Sequence, residues 1–329
     1  MLNKQKFKKQ LKGSNIGRGA WHMLHRANIT LHRLVPDKQY FDSRYKKAYG
    51  EHLDYDDPKT LDAKQLWLKM YYRNPLCVTC SDKYLVRKYV EECGCGNILS
   101  TLYGAFDDAS SIDWDSLPDQ FYLKANNMSG CNVRCNDKNS FDREKAEKYF
   151  RKRMKHNYYY ETREWNYKDI VPKIIAEEIL VPSEPAGLID YRFLCANGRC
   201  DYVYIDIETA DENGNHRAEA RRNVYDRDMN LIDVQVGRQR FDPELVKKPD
   251  NWDEMLACAE KLSGHFPFCR VDLYNLGGRI VFGEITFFHA GGICKYKPEE
   301  WAYKLGENVS IDYAKADMNR NYDWSAQAQ

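Results

Sequence analysis

The stretch 268–287 limits the possible folds more than any other part of the chain. Two runs, 268–274 and 280–287, alternate apolar and polar residues around Gly277-Gly278, which predicts an antiparallel strand pair. Cys269, Val271, Leu273, Val281, Ile285 and Phe287 hold the odd positions, with Gly283 among them, and predict a buried face. Arg270, Asp272, Glu284 and Thr286 hold the even positions. Strand side chains alternate with period two, so each polar pair shares the face opposite the apolar set. All four project together if directly paired residues have equal parity; an even-length turn would split Asp272 from Glu284. Like charges at close range repel and raise a pKa, and a hard cation relieves that. Mg²⁺ takes one or two carboxylates plus phosphate oxygens, and an arginine shares the same phosphates. The competing reading is a solvated sheet face carrying an Arg–Asp pair.

A second charge stands at the end of an apolar strand. Residues 120–124 read as a strand closing on Lys124, followed by the polar loop Asn126-Asn127-Met128-Ser129-Gly130. A point charge before backbone N–H groups that allow close approach suits phosphate. This is not a Walker loop, since no Gly-Lys-Ser/Thr is present. The alternative is an ordinary strand-to-turn with an exposed lysine.

The rest of the chain predicts an α+β (α/β) protein. Helices are expected over 61–72, closed by Asn74-Pro75, and over 81–92, starting at Ser81 or Asp82. Further helices are expected over 142–157 and 252–263. Strands are expected over 173–177, 191–195 and 201–209, the last two around Asn197-Gly198. The tail from Trp301 is polar and is expected to be loosely held. In all, 329 residues suffice for two lobes with a sizeable core. The expected division is a basic extension (1–50), a helical region (51–119), a first lobe (120–180), a second lobe (181–306) and a tail (307–329).

No apolar run approaches the roughly 18 residues that span a membrane, and the start leads into charge rather than a signal core. That favours the cytosol. The eleven cysteines are then expected to be reduced and buried. Cys77-x-x-Cys80 and Cys93-x-Cys95 leave a structural zinc site open, although C-x-C is tight for one. Residues 1–47 hold twelve Lys/Arg against two acids, +10, so a chain of net +1 leaves −9 for the remainder. Such a segment is either a solvated helix or a surface for anionic lipid or glycan. Nucleic acid is not expected, because no recognised binding signature accompanies it.

Taken together, ordered segments resemble the ATP-grasp superfamily, in its TupA-like (teichuronopeptide biosynthesis-like) polysaccharide branch. They include Leu66-Trp67-Leu68-Lys69, Arg73-Asn74-Pro75-Leu76, Ser81-Asp82-Lys83-Tyr84, Phe121-Tyr122-Leu123-Lys124, Ile174-Ile175-Ala176-Glu177, Asp190-Tyr191-Arg192-Phe193, Phe268-Cys269-Arg270-Val271-Asp272 and Gly283-Glu284-Ile285-Thr286. The resemblance covers roughly residues 60–306. It implies two lobes gripping ATP. Lys83 and Lys124 would contact phosphates or adenine, and the loop with Asn126, Asn127, Ser129 and Gly130 would cover the phosphates. Glu177, Glu178, Leu180 and Asp190 would bind the nucleoside side. Arg270, with Lys124, would serve the transferred phosphate, while Asp272, Glu284 and Thr286 would hold Mg²⁺. Many ATP-grasp enzymes have Asn where Thr286 stands, and a loop richer in glycine.

The implied activity is a carboxylate–amine ligase acting through an acyl phosphate. Its implied substrates are an acidic sugar or glycan precursor, such as a uronic acid, and an amine or amino acid. His216, Arg217, Arg221 and Arg222 form a basic stretch that either clamps an acidic substrate or is a solvated loop. Two rivals remain. Asp226-Arg227-Asp228 is a D-x-D that could hold a metal–sugar nucleotide in a glycosyltransferase. The other rival is a non-catalytic protein that keeps the ATP-grasp shell.

Overall fold

The structure, a computed structural model, describes residues 34–182, 187–211 and 217–318. Residues 1–33 of the basic extension, His216 and the end of the tail lie outside them. Helices α1 (Asp37–Tyr49), α2 (Leu61–Tyr71), α3 (Leu76–Ser81) and α4 (Val86–Glu92) lead into β1 (Leu102–Phe106), β2 (Phe121–Ala125) and β3 (Asn132–Cys135). Helix α5 (Arg143–Arg153) and β4 (Ile174–Glu177) follow. Next come β5 (Asp190–Ala196), β6 (Arg199–Ile207), β7 (Arg221–Asp226), β8 (Leu231–Ile232) and β9 (Gln235–Val236). The order closes with α6 (Trp252–Ser263), β10 (Phe268–Leu276), β11 (Arg279–Thr286), β12 (Tyr296–Lys297) and α7 (Ile311–Met318).

Among the described residues the strands build a four-stranded sheet, β1-β4-β2-β3, and a six-stranded sheet, β11-β10-β5-β6-β7-β8. Every pairing in both is antiparallel. The small sheet has its own core of Phe121, Leu123, Ile174 and Ala176 against Phe150 of α5. The large sheet packs its apolar face on α6, whose Trp252, Met255, Leu256, Ala259 and Leu262 recur at helical spacing and are buried. Trp252 meets Tyr191 and Phe193 of β5 at ring distances of 6.1 and 5.4 Å. The opposite face of the large sheet is thereby left for its polar residues.

Two turns fix the register. At the β5–β6 corner Asn197 and Gly198 both have positive φ (53° and 80°), as a two-residue hairpin twisting with its strands requires. At the β10–β11 corner the turn is also two residues long, because Leu276 pairs with Arg279. That even turn alone would set Asp272 and Glu284 on opposite faces. A bulge between Leu273 and Asp272 adds one residue, and the register becomes Asp272↔Glu284 and Arg270↔Thr286.

Several expectations need correction. The helix predicted over 81–92 is two pieces: Ser81 ends α3, where its Oγ donates to the Cys77 carbonyl, and α4 starts at Val86. The Asp82 carboxylate accepts from the N–H groups of Tyr84 (2.8 Å) and Leu85 (3.2 Å), which holds the intervening turn. Helix α5 stops at Arg153, short of the expected 157. The described part of the tail, to Met318, is docked and not loose: Ala314 and Asp317 of α7 are buried, and the Lys64 ammonium donates to the carbonyls of Gly306 (2.7 Å) and Val309 (2.8 Å).

Candidate active site

The polar face of the large sheet carries a continuous charged strip. The Arg270 guanidinium chelates Asp272 through two 2.6 Å hydrogen bonds, and its Nη2 also donates to Glu284 and Thr286 at 3.1 Å each. The Thr286 hydroxyl donates to the same Glu284 oxygen at 2.8 Å. Next along the sheet, Arg192 lies opposite Asp272 and stands 3.3 Å from Asp190, 3.1 Å from Asp206 and 3.8 Å from Asp272. Asp206 has no exposure; it accepts two bonds from Arg222 (2.6 and 2.7 Å) and one from Arg238 (2.7 Å).

The facing carboxylates are pushed apart in acidity. Burial raises Asp272 to about 6 against the pull of Arg270 and Arg192, with Glu284 adding to the rise. Burial also raises Glu284, but Arg270 and Lys83 outweigh it and bring it down to about 2. The Glu284 side chain keeps 40% exposure, so its charge can be reached from outside. The donor set fits a hard cation, with two facing carboxylates, one of them accessible, and a hydroxyl beside them.

The small sheet presents the complementary charge. Lys124 on β2 pairs with Glu177 on β4 at 2.8 Å, and Glu177 is further held by Arg87 (3.2 Å) and the Ser100 hydroxyl (3.1 Å). Lys83 donates to the Met128 carbonyl at 2.8 Å. Burial lowers the Lys83 pKa, opposed by the attraction of Glu284. Glu284 likewise favours the charged form of Lys124, so Lys83 in the α3–α4 turn, Lys124 of the small sheet and the carboxylate of the large one belong to one electrostatic neighbourhood.

The expected polar loop is largely interior. Asn126 is structural: its side chain accepts from the Lys173 N–H (2.6 Å) and donates to the Val171 carbonyl (3.0 Å). Asn127 and Met128 are buried, and only Ser129 and Gly130 form an exposed tip, with Gly130 at φ 68°. Asn127 Oδ1 has no hydrogen-bond partner among the described residues. Glu178 points away from Lys124 to Arg279 (2.5 and 3.1 Å), and its N–H is committed to the Thr101 carbonyl, so that donor is not free to read a base. Leu180 follows β4, half-buried and outside any strand. Asp190 accepts from Thr209 at 2.6 Å.

The described residues of the basic stretch have separate surroundings: Arg217 is exposed, Arg221 pairs with Glu208 at 2.9 Å, and Arg222 reaches the charged strip. Arg221 and Arg222 belong to β7 and not to a loop. The D-x-D is also ordinary structure: Asp226 accepts from the N–H groups of Asp228 and Asn230 and from the Asn230 amide, while Arg227 pairs with Glu260. Cys77, Cys80, Cys93 and Cys95 are free thiols, and burial raises the pKa of the first three. Among the described residues no group of three or more His, Cys, Asp or Glu is placed to hold a metal.

The sequence reading did not single out Asp206 or Arg238, and it named Arg192 and Lys69 only within motifs. Asp190, Arg192, Tyr204, Asp206 and Arg222 extend across β5, β6 and β7 the alternation seen at Arg270 and Asp272, so the same signal could have found the strip. Lys69 is a lysine on the buried side of an apolar helix. It is 1% exposed and donates to the carbonyls of Thr162 (2.7 Å) and Gly291 (3.2 Å).

A small antiparallel sheet offering Lys124 with Lys83 beside it, and a larger sheet offering facing carboxylates and an arginine, define a protein of the ATP-grasp class. Within that class the chain belongs to the TupA-like ATPgrasp family, whose sequence profile matches residues 63–310. Comparison with curated proteins gives no match. Among solved structures, the chain is similar to D-cycloserine synthetase DcsG, with 11% identity and a TM-score of 0.42, covering 74% of this chain and 72% of that one. D-alanine–D-alanine ligase from Bacillus anthracis gives 14%, 0.39, 84% and 75% in the same order. The ATP-grasp ligase PsnB, complexed with minimal precursor, Mg and ADP, gives 11%, 0.39, 78% and 66%. Identity and superposition are both low, so the family assignment rests on the sequence profile.

Proposed function

We propose that this protein is an ATP-dependent ligase that joins a carboxylate to an amine. The observation that carries the reading is the placement of Asp272 directly opposite Glu284, with Arg270 bonded to both, in the electrostatic reach of Lys83 and of Lys124 on the small sheet. In this reading Lys83 and Lys124 neutralise and position the nucleotide phosphates, and the Ser129–Gly130 tip covers them. Asp272, Glu284 and Thr286 hold Mg²⁺, which supplies charge neutralisation at the phosphates. Arg270 and Arg192 balance the carboxylates in the ligand-free protein. With those carboxylates turned to a cation, Arg270 would be free to face the transferred phosphoryl group, while Arg192 stays paired with Asp190 and Asp206. The acid then takes the γ-phosphoryl group, and the amine attacks the acyl carbon and displaces phosphate; positioning and charge stabilisation are the protein's share.

The substrates we propose are a uronic-acid-type sugar of a surface glycan precursor and an amine or amino acid. The net charge of +10 in residues 1–47 supports contact between that segment and an anionic membrane surface. The lobes are taken as 120–180 and 181–306. The test is thermal stability with and without Mg-ATP. A ligand at 100 times its dissociation constant adds about 2.7 kcal/mol, a rise on the order of 5–10 °C. The rise is expected to need Mg²⁺, to favour ATP over UDP-sugars, and to shrink in Asp272→Asn. A shift with a UDP-sugar and none with ATP would instead support a glycosyltransferase, and no shift with either a binding protein.

A further inference from the structure

The small and large sheets are joined directly at one charged contact. At the β10–β11 turn the Arg279 guanidinium donates to both carboxylate oxygens of Glu178, at 2.5 and 3.1 Å. Glu178 directly follows β4 of the small sheet, and Arg279 opens β11 of the large one. Among the described residues no other ion pair runs between residues 101–178 and the large sheet. Lys83 and Lys124 are drawn toward Glu284 but form no ion pair with it among the described residues. The core of the small sheet contains no residue of the large one, so no shared apolar core holds the two edges together.

Each partner is anchored in its own half. The Glu178 carboxylate also accepts from the Thr101 N–H (2.8 Å), and the Glu178 N–H donates to the Thr101 carbonyl (3.0 Å). The turn before Arg279 is braced on the start of α6. Gly278 donates to the Asn275 side chain (2.8 Å), Asn275 to Asn251 (2.7 Å), and Asn251 back to the Gly278 carbonyl (2.8 Å). Two braced edges are thus bridged by one long, half-exposed side chain.

Position says what the pair encloses. Leu276, which faces Arg279, lies four residues beyond Asp272 on β10, about 13 Å at strand rise. The pair therefore stands at one end of the space between the sheets, and the metal-facing carboxylates stand toward the other. We infer that the Glu178–Arg279 pair is a latch: it holds the two lobes together at the nucleoside end and breaks when nucleotide enters or leaves. The part played by nucleotide rests on the ATP-binding reading above. The weakness of the pair suits that role. With Arg279 49% exposed, such a pair shifts an opening equilibrium by no more than about fivefold, and salt screens it. A contact of that strength can set how long nucleotide stays without locking it in.

The test follows lobe separation and nucleotide release in the full chain. Fluorescent probes are carried by unnatural amino acids at Lys148, exposed on α5, and at Glu254, exposed on α6. Single-molecule energy transfer reads the distance between them without nucleotide. Glu178→Gln, which keeps an acceptor for Thr101, and Arg279→Gln are each expected to raise the open fraction about three- to fivefold. The double variant is expected to add nothing further, because either change alone breaks the pair. Wild type in about 0.5 M NaCl is expected to move toward the variants. Release of a fluorescent ATP analogue with Mg²⁺, followed by stopped flow, is expected to quicken by the same factor. Unchanged distances, or single effects that add in the double variant, overturn the inference. So do lobes that open more often while release keeps its rate. A wild type that does not bind the analogue sinks the ligase reading, and the distances alone then decide whether the pair holds the lobes.

Discussion

Asp272 lies directly opposite Glu284 because the hairpin slips by one residue at Gly283. Leu273 pairs with Phe282 and Asp272 with Glu284, so Gly283 stands in the bulge between them. Glycine is required there: an added Cβ would sit 2.9 Å from the Asp272 carbonyl oxygen and 3.2 Å from the Tyr274 ring. Gly283→Ala is therefore expected to push the strands apart at the metal-facing pair. The expected cost is about 1–3 kcal/mol of stability, the range for overpacking, together with at least tenfold weaker Mg²⁺-dependent binding of ATP. Denaturant unfolding reads the first and calorimetry the second. Unchanged Mg²⁺ dependence would show that the alignment of the two carboxylates is not what binds the cation.

That slip also shows how far the sequence could be read. The alternation around Arg270, Asp272, Glu284 and Thr286 located the site's charges, because period two is local information. It could not decide whether the four met. The Gly277-Gly278 turn argued against it, and only the backbone pairing at Gly283 restored it. The Asn197-Gly198 turn and helix α6 were legible for the same local reason. Strand β3 and the buried state of Asn127 and Met128 were not, because a polar run reads as a loop until packing encloses it. The docking of α7 and the segment before it depends on contacts with α2 and the residues just after it, some 240 residues away in sequence. Arg222 read as one of a basic stretch, yet its partner is Asp206, one strand earlier.

Binding of Mg-ATP should weaken in acid. Asp272 is raised to about 6, so below that pH a proton competes for the carboxylate that would face the cation, while Glu284, down to about 2, stays ionised. The apparent Mg²⁺ affinity is expected to be flat above pH 7 and to fall by up to about tenfold per unit below 6. Without Mg²⁺ the sign reverses for stability. A carboxyl raised in the folded state favours the fold most at low pH, and this contribution falls as pH rises from about 4 to 6. Calorimetric titrations with Mg-ATP at pH 5, 6, 7 and 8 check the first expectation, and an affinity flat across that range would exclude Asp272 from the cation site.

Asp206 is the shared counter-charge of Arg192, Arg222 and Arg238, and it is wholly buried. Burial raises its pKa, but the arginines outweigh that and hold it well below the usual carboxylate range. The stability it contributes is complete above its unfolded value near 4 and is lost as pH falls toward the folded value. Asp206→Asn leaves buried guanidinium groups without their anion and is expected to cost about 3–5 kcal/mol at pH 7. The difference from wild type should narrow below pH 4. Urea unfolding at pH 7 and pH 3 reads both; an equal penalty at the two values would mean that packing, not charge, is what the asparagine disturbs.

The tail helix α7 should stabilise the whole second lobe, and not merely itself. Asp317 is 1% exposed and accepts from the Tyr72 hydroxyl and, at 3.2 Å, from the Asn74 amide, both buried at the end of α2. The same α2 carries Lys69, whose ammonium donates to the Gly291 carbonyl in the turn beside the site. Asp317→Ala removes the acceptor for two buried donors, and each such loss costs about 1–3 kcal/mol. The denaturation midpoint is expected to fall while the denaturant slope stays the same, because the residues that unfold together do not change. Amide exchange should then quicken in α2 and in the 289–292 turn as well as in α7. Faster exchange confined to α7 would mean that the tail frays alone, and that the clasp at Lys69 is independent of it.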